Sequence, residues 1–485
     1  MTPTSESSDF LDDFEAAAKR RGLILDEGLW RAAQAVAARL PLVLVTGRAG
    51  TGKSTLIHLL RESVAQRLNM AVLAPTGLAA INAGGQTIHS FCRLAPRTVD
   101  PDSIRRLRDR ELYENLDLLV VDEISMVRAD LLDGIDIFLR RNGRHRDLPF
   151  GGVRIVLVGD LFQLAPVVRE EERLFFEEQY TSAWFFDAKV LQGMVIEGVE
   201  LELVHRQEEE ADLRLLNAVR EGDEPGFAAL TEINARCVPD WLPDDSTVLE
   251  GRLTLTAHIA VAERLNRQRL GALPDRPRLY RGEVTGELRP TAERLPAPLD
   301  LHLARGAQVL FTRNDSGGRW VNGTLGRVVS LSKTEAEVEV LWGPETGQVH
   351  PVKTVTWEQH AFDYDRAQGR VVSRVIGTYK QLPLTLAWAI TIHKAQGMTL
   401  DKVALDLGRG AFAEGQLYVA LSRCRRLDDL LLLRPIRRDD LRVSQPVRAF
   451  QELLRSGELA LPRTRPGAGA DAVVLPQQAS LFGTK

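Results

Sequence analysis

The stretch PLVLVTGRAGTGKSTLIHLL, residues 41–60, decides the fold. An uninterrupted apolar run enters a glycine-rich loop, and a helical pattern opens directly behind it. Continuous rather than alternating apolar character marks a strand covered on both faces, hence a parallel sheet flanked by helices. In KSTLIHLLRESVAQRL (53–68), Leu56, Leu60, Val64 and Leu68 recur every fourth position and give the helix one apolar stripe. Residues Gly47 to Ser54 fit G-x-x-x-x-G-K-[ST] in the strand–loop–helix context that this phosphate-binding motif requires. Gly47, Gly50, Thr51, Gly52, Lys53, Ser54 and Thr55 are therefore the candidate triphosphate ligands. Backbone N–H groups and the helix N-terminus would wrap the phosphates, Lys53 would reach the β and γ groups, and Ser54 would ligate Mg²⁺.

Working outward, the runs MAVLAPTG (70–77), LDLLVVDE (116–123) and VRIVLVGD (153–160) repeat the buried-strand pattern, so residues 24 to about 200 read as a doubly wound α/β unit. A second set follows in RLTLTAH (252–258), LTLAWAITIHKAQG (384–397), KVALDLG (402–408) and DLLLLRP (429–435). Between its first two members, short runs such as AQVLFTR, GTLGRVVSL and EAEVEVLW are separated by DSGG, VNG and GPETG. That texture predicts a small antiparallel barrel inserted at 300–380. From Pro462 the chain turns Pro/Gly/Ala-rich, a composition that predicts disorder.

Composition bounds the rest. At 485 residues, with 44% hydrophobic and 26% charged, the chain is a multi-domain globular protein. The net charge of −4 means that nucleic-acid contact would need a local basic groove. Cys92, Cys237 and Cys424 show no metal spacing, and a reducing cytoplasm suits them. The acidic N-terminus lacks the apolar core of a signal peptide, and no run is long enough to span a membrane.

Asp122 and Glu123, closing the LLVVDE strand, are placed to hold Mg²⁺ and to deprotonate the attacking water. Gln163, in GDLFQLAPV, stands where it would contact the γ phosphate or that water. A small-molecule kinase would need no second α/β unit. A motor would, with arginines reaching the nucleotide from the far lobe, and Arg206 and Arg423 are the candidates.

The segments APTGLAAINAGGQTIHSFC (74–92), VVDEISMV (120–127), GDLFQLAPV (159–167), AWAITIHKAQGMTLDKV (387–403) and YVALSRCR (418–425) resemble, in order, the motifs of superfamily 1 helicases. The resemblance is nearest to the PIF-one family of 5′-to-3′ DNA helicases, and LLDGIDIFLRRNGRHRDLPFGG (131–152) is similar to that family's signature segment. The match runs from about residue 24 to 440.

The resemblance implies two tandem RecA-like P-loop domains, an α/β fold, with an SH3-like β-barrel in the second. The boundaries it implies are a flexible N-terminus at 1–23, a first domain at 24–205 with a wedge-like insert at 92–115, and a second domain at 206–299 and 380–445. The barrel would occupy 300–379, with a C-terminal helix and disordered tail at 446–485. It further implies an ATP- and Mg²⁺-dependent enzyme that translocates 5′-to-3′ on single-stranded DNA as a monomer and unwinds duplex or structured DNA in replication, repair or recombination.

By the same resemblance, Gln396 and Gly397 join the nucleotide ligands, and Pro75, Thr76, Thr87, His89, Phe162, Asn322, Thr391, His393 and Lys394 face DNA. His89, Phe91 or Phe162 would stack against bases. Where the family often carries a glutamine that reads adenine, Leu29 stands here. The alternatives are a RecD-like or phage-type helicase, or an ATP-gated DNA translocase that does not unwind. Finally, QASLF (478–482) resembles the peptide with which bacterial proteins dock on the replicative sliding clamp, Gln478 making polar contacts and Leu481 and Phe482 filling an apolar pocket.

Overall fold

The structure is a computed structural model and describes residues 5–64, 67–203, 210–237, 249–288 and 295–456. Arg206, Gln478, Leu481 and Phe482 lie outside the described residues.

Six strands surround the opening run: Leu42–Gly47 (β1), Met70–Ala74 (β2), Gln86–Thr87 (β3), Leu118–Val121 (β4), Arg154–Gly159 (β5) and Glu197–Leu201 (β6). They form one all-parallel sheet in the order β3-β2-β4-β5-β1-β6. β1 is buried along its whole length because both of its faces are used. Val43 and Val45 pack with Leu29, Val36, Leu56 and Leu60 of helices Glu27–Ala37 and Lys53–Val64. Leu42 and Leu44 join the opposite layer with Leu132, Ile135 and Phe138 of helix Ala129–Asn142. The phosphate loop leaves the carboxyl end of β1, the edge where parallel sheets place their ligands.

A second all-parallel sheet orders Ala389–Thr391, Leu253–Thr256, Val403–Asp406 and Leu430–Leu432. The two sheets meet at Gly415, just before helix Gln416–Leu421. A Cβ on Gly415 would fall 2.3 Å from the Gln163 carbonyl oxygen and 2.6 Å from that of Phe162. Only glycine permits that approach.

The insert expected at 300–379 is instead spread over three antiparallel sheets, the smallest pairing Asp300–Leu303 with Arg278–Arg281. One has five strands, Val349–Lys353, Glu335–Val340, Leu325–Leu331, Gln308–Phe311 and Leu384–Leu386, so its pairing continues past 379. Another is a long hairpin, Val355–Asp365 with Arg370–Gln381, extended by Glu283–Gly286. The hairpin is not paired with the five-stranded sheet and reaches toward the first sheet. The Phe362 N–H donates to Gln86 Oε1 (3.2 Å), Val371 N–H donates to Asn69 Oδ1 (2.7 Å), and Arg366 pairs with Glu111.

The N-terminus corrects a second expectation. Instead of a flexible lead, it contains helix Ser5–Arg20, with Phe10, Phe14, Ala17 and Ala18 buried against the layer around Leu56 and Leu60. Arg67 pairs with Asp9 (3.2 Å) and Asp13 (2.9 Å) on its outer face. At the other end, helix Gln445–Ser456 returns to the first sheet, where Phe450 stacks on Phe186 at 4.4 Å and Arg455 pairs with Glu200 at 3.1 Å. No described helix is long and apolar enough to cross a membrane.

Candidate nucleotide site and nucleic-acid cleft

The phosphate loop takes its shape from three glycines. Gly50 and Gly52 have φ of 86° and 91°, conformations that side chains strain to adopt. At Gly47 a Cβ would meet Leu201 O and Thr51 Oγ1, each at 2.7 Å. Thr51 Oγ1 donates to the Arg48 carbonyl (2.9 Å), and Lys53 Nζ donates to the carbonyls of Gly47 and Arg48, both at 2.7 Å. Burial lowers the pKa of Lys53, opposed by the charges of Asp160, Glu123 and Asp122. Ser54 is exposed at the start of its helix.

Asp122 and Glu123 follow β4 directly. Asp122 Oδ1 accepts from the Glu123 N–H (2.9 Å), and Glu123 sits at φ 51°, ψ 47°. A non-glycine residue held in the left-handed region costs on the order of 1–3 kcal/mol, and such strain concentrates where function fixes the backbone. Burial raises the pKa of both acids. For Glu123 the neighbouring Asp122 charge adds to burial and carries it to about 7, against the pull of Lys53 and Arg423.

The second sheet enters this cluster through Gln396. Its Nε2 donates to Glu123 Oε2 (3.1 Å) and to Gln163 Oε1 (3.2 Å), while Gln163 Nε2 donates to Asp160 Oδ2 (3.1 Å). Arg423 is 1% exposed. Its Nε donates to Val419 O (3.0 Å) and its Nη1 to Met398 O (3.3 Å), and its charge is felt at Glu123.

One long cleft runs between the sheets and is lined by Ser54, Thr76, Asp122, Glu123, Asn322, Thr391, His393, Lys394, Gln396 and Gly397. Residues from five separate sequence segments are thereby brought together. Burial lowers the pKa of both His393 and Lys394. The Thr391 hydroxyl accepts from the Lys394 N–H (3.2 Å), and Asn322 Oδ1 is buried with no hydrogen-bond partner.

Several expected DNA-facing residues have partners within the fold, Thr76 while also lining the cleft. The hydroxyls of Thr76 and Thr87 cap short helices, accepting from Ala79 N–H (3.2 Å) and Ser90 N–H (3.3 Å). Pro75 and His89 are half-buried beside them. Phe162 is a correction: it is buried, and the Arg220 guanidinium covers its ring at 4.3 Å, so that face is closed to a base. Phe91 is likewise core, packed edge-on against Tyr113 and Phe362.

Sequence reading missed an aromatic group on the cleft. Phe412 is 53% exposed, and its ring lies nearly parallel to those of His258 (5.2 Å, 20°) and His393 (6.5 Å, 19°). The available signal was an aromatic inside the glycine-containing turn GRGAFAEG.

A PIF1-like helicase family description matches residues 29–224. The Pif1 helicase of Bdellovibrio bacteriovorus is 32% identical over 399 residues, 81% of this chain and 84% of that protein. The chain belongs to the PIF1-like helicase family. The human PIF1 helicase is 36% identical over 403 residues, and there the chain spans 58% of the relative's length. Among solved structures, unliganded Pif1 from a Bacteroides species superposes with a TM-score of 0.78 at 33% identity, covering 90% of this chain and 98% of that one. The same Bacteroides protein has been solved with ADP-AlF4, with a TM-score of 0.78, and bound to single-stranded DNA, with a TM-score of 0.61. The family assignment accounts for the motif order and leaves the work done by each residue to the geometry.

Proposed function

We propose that this protein is an ATP-dependent DNA helicase that moves 5′-to-3′ on single strands and opens duplex or structured DNA in replication, repair or recombination. The observation that carries the reading is Gln396: one side chain of the second sheet touches both Glu123 and Gln163 of the first (3.1 and 3.2 Å). Gln396 follows directly on the segment Thr391–Lys394 that lines the cleft. A change at the triphosphate is thus felt where a strand would lie.

In this reading the two parallel sheets are tandem RecA-like domains, the five-stranded sheet is the SH3-like insert, and residues 92–115 are the wedge. The loop Gly47–Thr55 cradles the triphosphate and Lys53 offsets its charge. Glu123 accepts a proton from the water that attacks the γ phosphorus, releasing ADP and phosphate, while Gln163 orients that water. Arg423, together with Arg206, stabilises the charge on the transferred group. Ser54 and Asp122 suit Mg²⁺, both being hard oxygen donors on one cleft wall. Once bound, the ion neutralises phosphate charge.

Single-stranded and forked DNA are the proposed substrates, supported by the strand-bound and fork-bound structures of the Bacteroides relative. Thr391, His393, Lys394 and Asn322 would grip the backbone. The clamp is a further proposed partner: a peptide of residues 474–485 should bind it and the same peptide with Phe482→Ala should not, equal binding by both ruling the motif out. The function itself is tested on forked duplexes tailed at either end. Release from the 5′-tailed fork by wild type and none by Lys53→Ala is expected. ATP hydrolysis stimulated by single strands without release would make the protein a translocase instead.

A further inference from the structure

Arg220, near the end of helix Glu210–Glu221, belongs to none of the motifs above. In a chain whose arginines mostly face solvent, its side chain is 3% exposed. Its guanidinium covers the Phe162 ring at 4.3 Å, Nη2 lies 3.5 Å from Asp160 Oδ1, and Nη1 lies 3.8 Å from Glu200 Oε1. Asp160 is a meeting point. Its Oδ1 also accepts from the Phe162 N–H (3.2 Å), and its Oδ2 accepts from Gln163 Nε2 and from Tyr418 Oη, each at 3.1 Å. Tyr418 comes from the second sheet's helix Gln416–Leu421.

A buried ion pair is a poor way to stabilise a fold, because desolvation cancels much of the attraction and apolar side chains would fill the space as well. What the pair does provide is an acceptor-only carboxylate in a fixed place. An Asp160 carboxylate oxygen accepts from the Gln163 amide N–H. The Gln163 Nε2 is therefore committed to Asp160, and its Oε1 is left to accept from Gln396, which also holds Glu123. The cation is one of the groups that hold Asp160 in place for that contact, beside the Phe162 N–H and the Tyr418 hydroxyl.

We propose that Arg220 is a positioning residue for ATP hydrolysis: through Asp160 and the Phe162 ring it fixes the 160–163 turn so that Gln163 presents its oxygen to Gln396, and the Tyr418 hydroxyl completes the grip when the second sheet is docked. This rests on the function proposed above, since Arg220 touches no nucleotide itself. It makes closure of the two sheets a condition for an ordered catalytic group.

The test is steady-state ATP hydrolysis with saturating oligo(dT), alongside thermal unfolding, for wild type, Lys53→Ala, Arg220→Met, Arg220→Lys, Tyr418→Phe and the pair Arg220→Met/Asp160→Asn. Arg220→Met should lower kcat by about 10²-fold, the scale of a small misplacement of a reacting group. KM for ATP should stay within about two-fold, since the loss falls on turnover rather than ground-state binding. Arg220→Lys should recover part of kcat, and the double variant should be no slower than Arg220→Met, because groups that act as one unit do not add.

Wild-type kcat in folded Arg220→Met overturns the proposal. So do a change confined to KM, additive losses in the double variant, or an activity loss that only tracks unfolding. Should Arg220→Met fail to fold, Tyr418→Phe decides: a several-fold fall in kcat at unchanged Tm supports the proposal, and wild-type kcat overturns it. Failure of the helicase reading looks different. It appears as a wild-type rate indifferent to DNA, with the Arg220 comparison still legible in the basal rate.

Discussion

At the scale of single residues, Glu123 makes the most direct chemical claim. Its carboxyl is pushed up to about 7 by burial and by Asp122, and a general base works only as the carboxylate. The kcat/KM for ATP should therefore be low on the acid side, rise through an apparent pKa near that value and then level. A profile flat from the ordinary carboxylate range upward would contradict the assignment. Glu123→Gln should lose roughly 10²- to 10⁴-fold in kcat, the usual contribution of general-base catalysis, while still binding nucleotide. Phe412 makes the corresponding claim for DNA. Phe412→Ala should weaken single-strand binding by about 1–3 kcal/mol, the value of a stacked base. The salt dependence should be unchanged, because no phosphate contact is lost; fluorescence anisotropy across a salt series measures both. These residues differ in how legible they were. Glu123 sits in a contiguous motif behind a buried strand, whereas Phe412 joins His258 and His393 only after distant segments fold together. Phe162 misled because it lies in the same motif as Gln163, and nothing local announces that Arg220 will cover its ring.

At the scale of elements, the parallel strands could be read because burial on both faces favours continuous apolar runs, as residues 42–45 of β1 illustrate. The N-terminal helix was equally present in the sequence. Phe10, Phe14 and Ala17 are spaced as one apolar stripe, masked by the acidic residues around them. Phe14→Ala should cost about 3–5 kcal/mol, the range for emptying a buried aromatic site. Denaturant unfolding measures this, and a loss below roughly 1 kcal/mol would place the helix outside the core. The hairpin Val355–Asp365/Arg370–Gln381 could not be assigned from its own residues. Its partners Asn69, Gln86 and Glu111 lie far away in sequence, so its alternation alone reads as part of the neighbouring barrel.

For the whole molecule, the decisive feature is that the residues of the proposed site come from both sheets. The phosphate loop, Asp122, Glu123 and Gln163 belong to the first, and Gln396, Tyr418 and Arg423 to the second; contact between them is made at Gly415 and through Gln396. Hydrolysis that needs both parts is hydrolysis that can be tied to movement of one relative to the other. The most direct test is the ratio of ATP turnover with and without a saturating single-stranded oligonucleotide, in wild type and in Gln396→Ala. A wild-type rate that rises at least about tenfold, the scale of an allosteric coupling of about 1.4 kcal/mol, and a variant that loses this stimulation is the predicted result. Equal stimulation in both would contradict it.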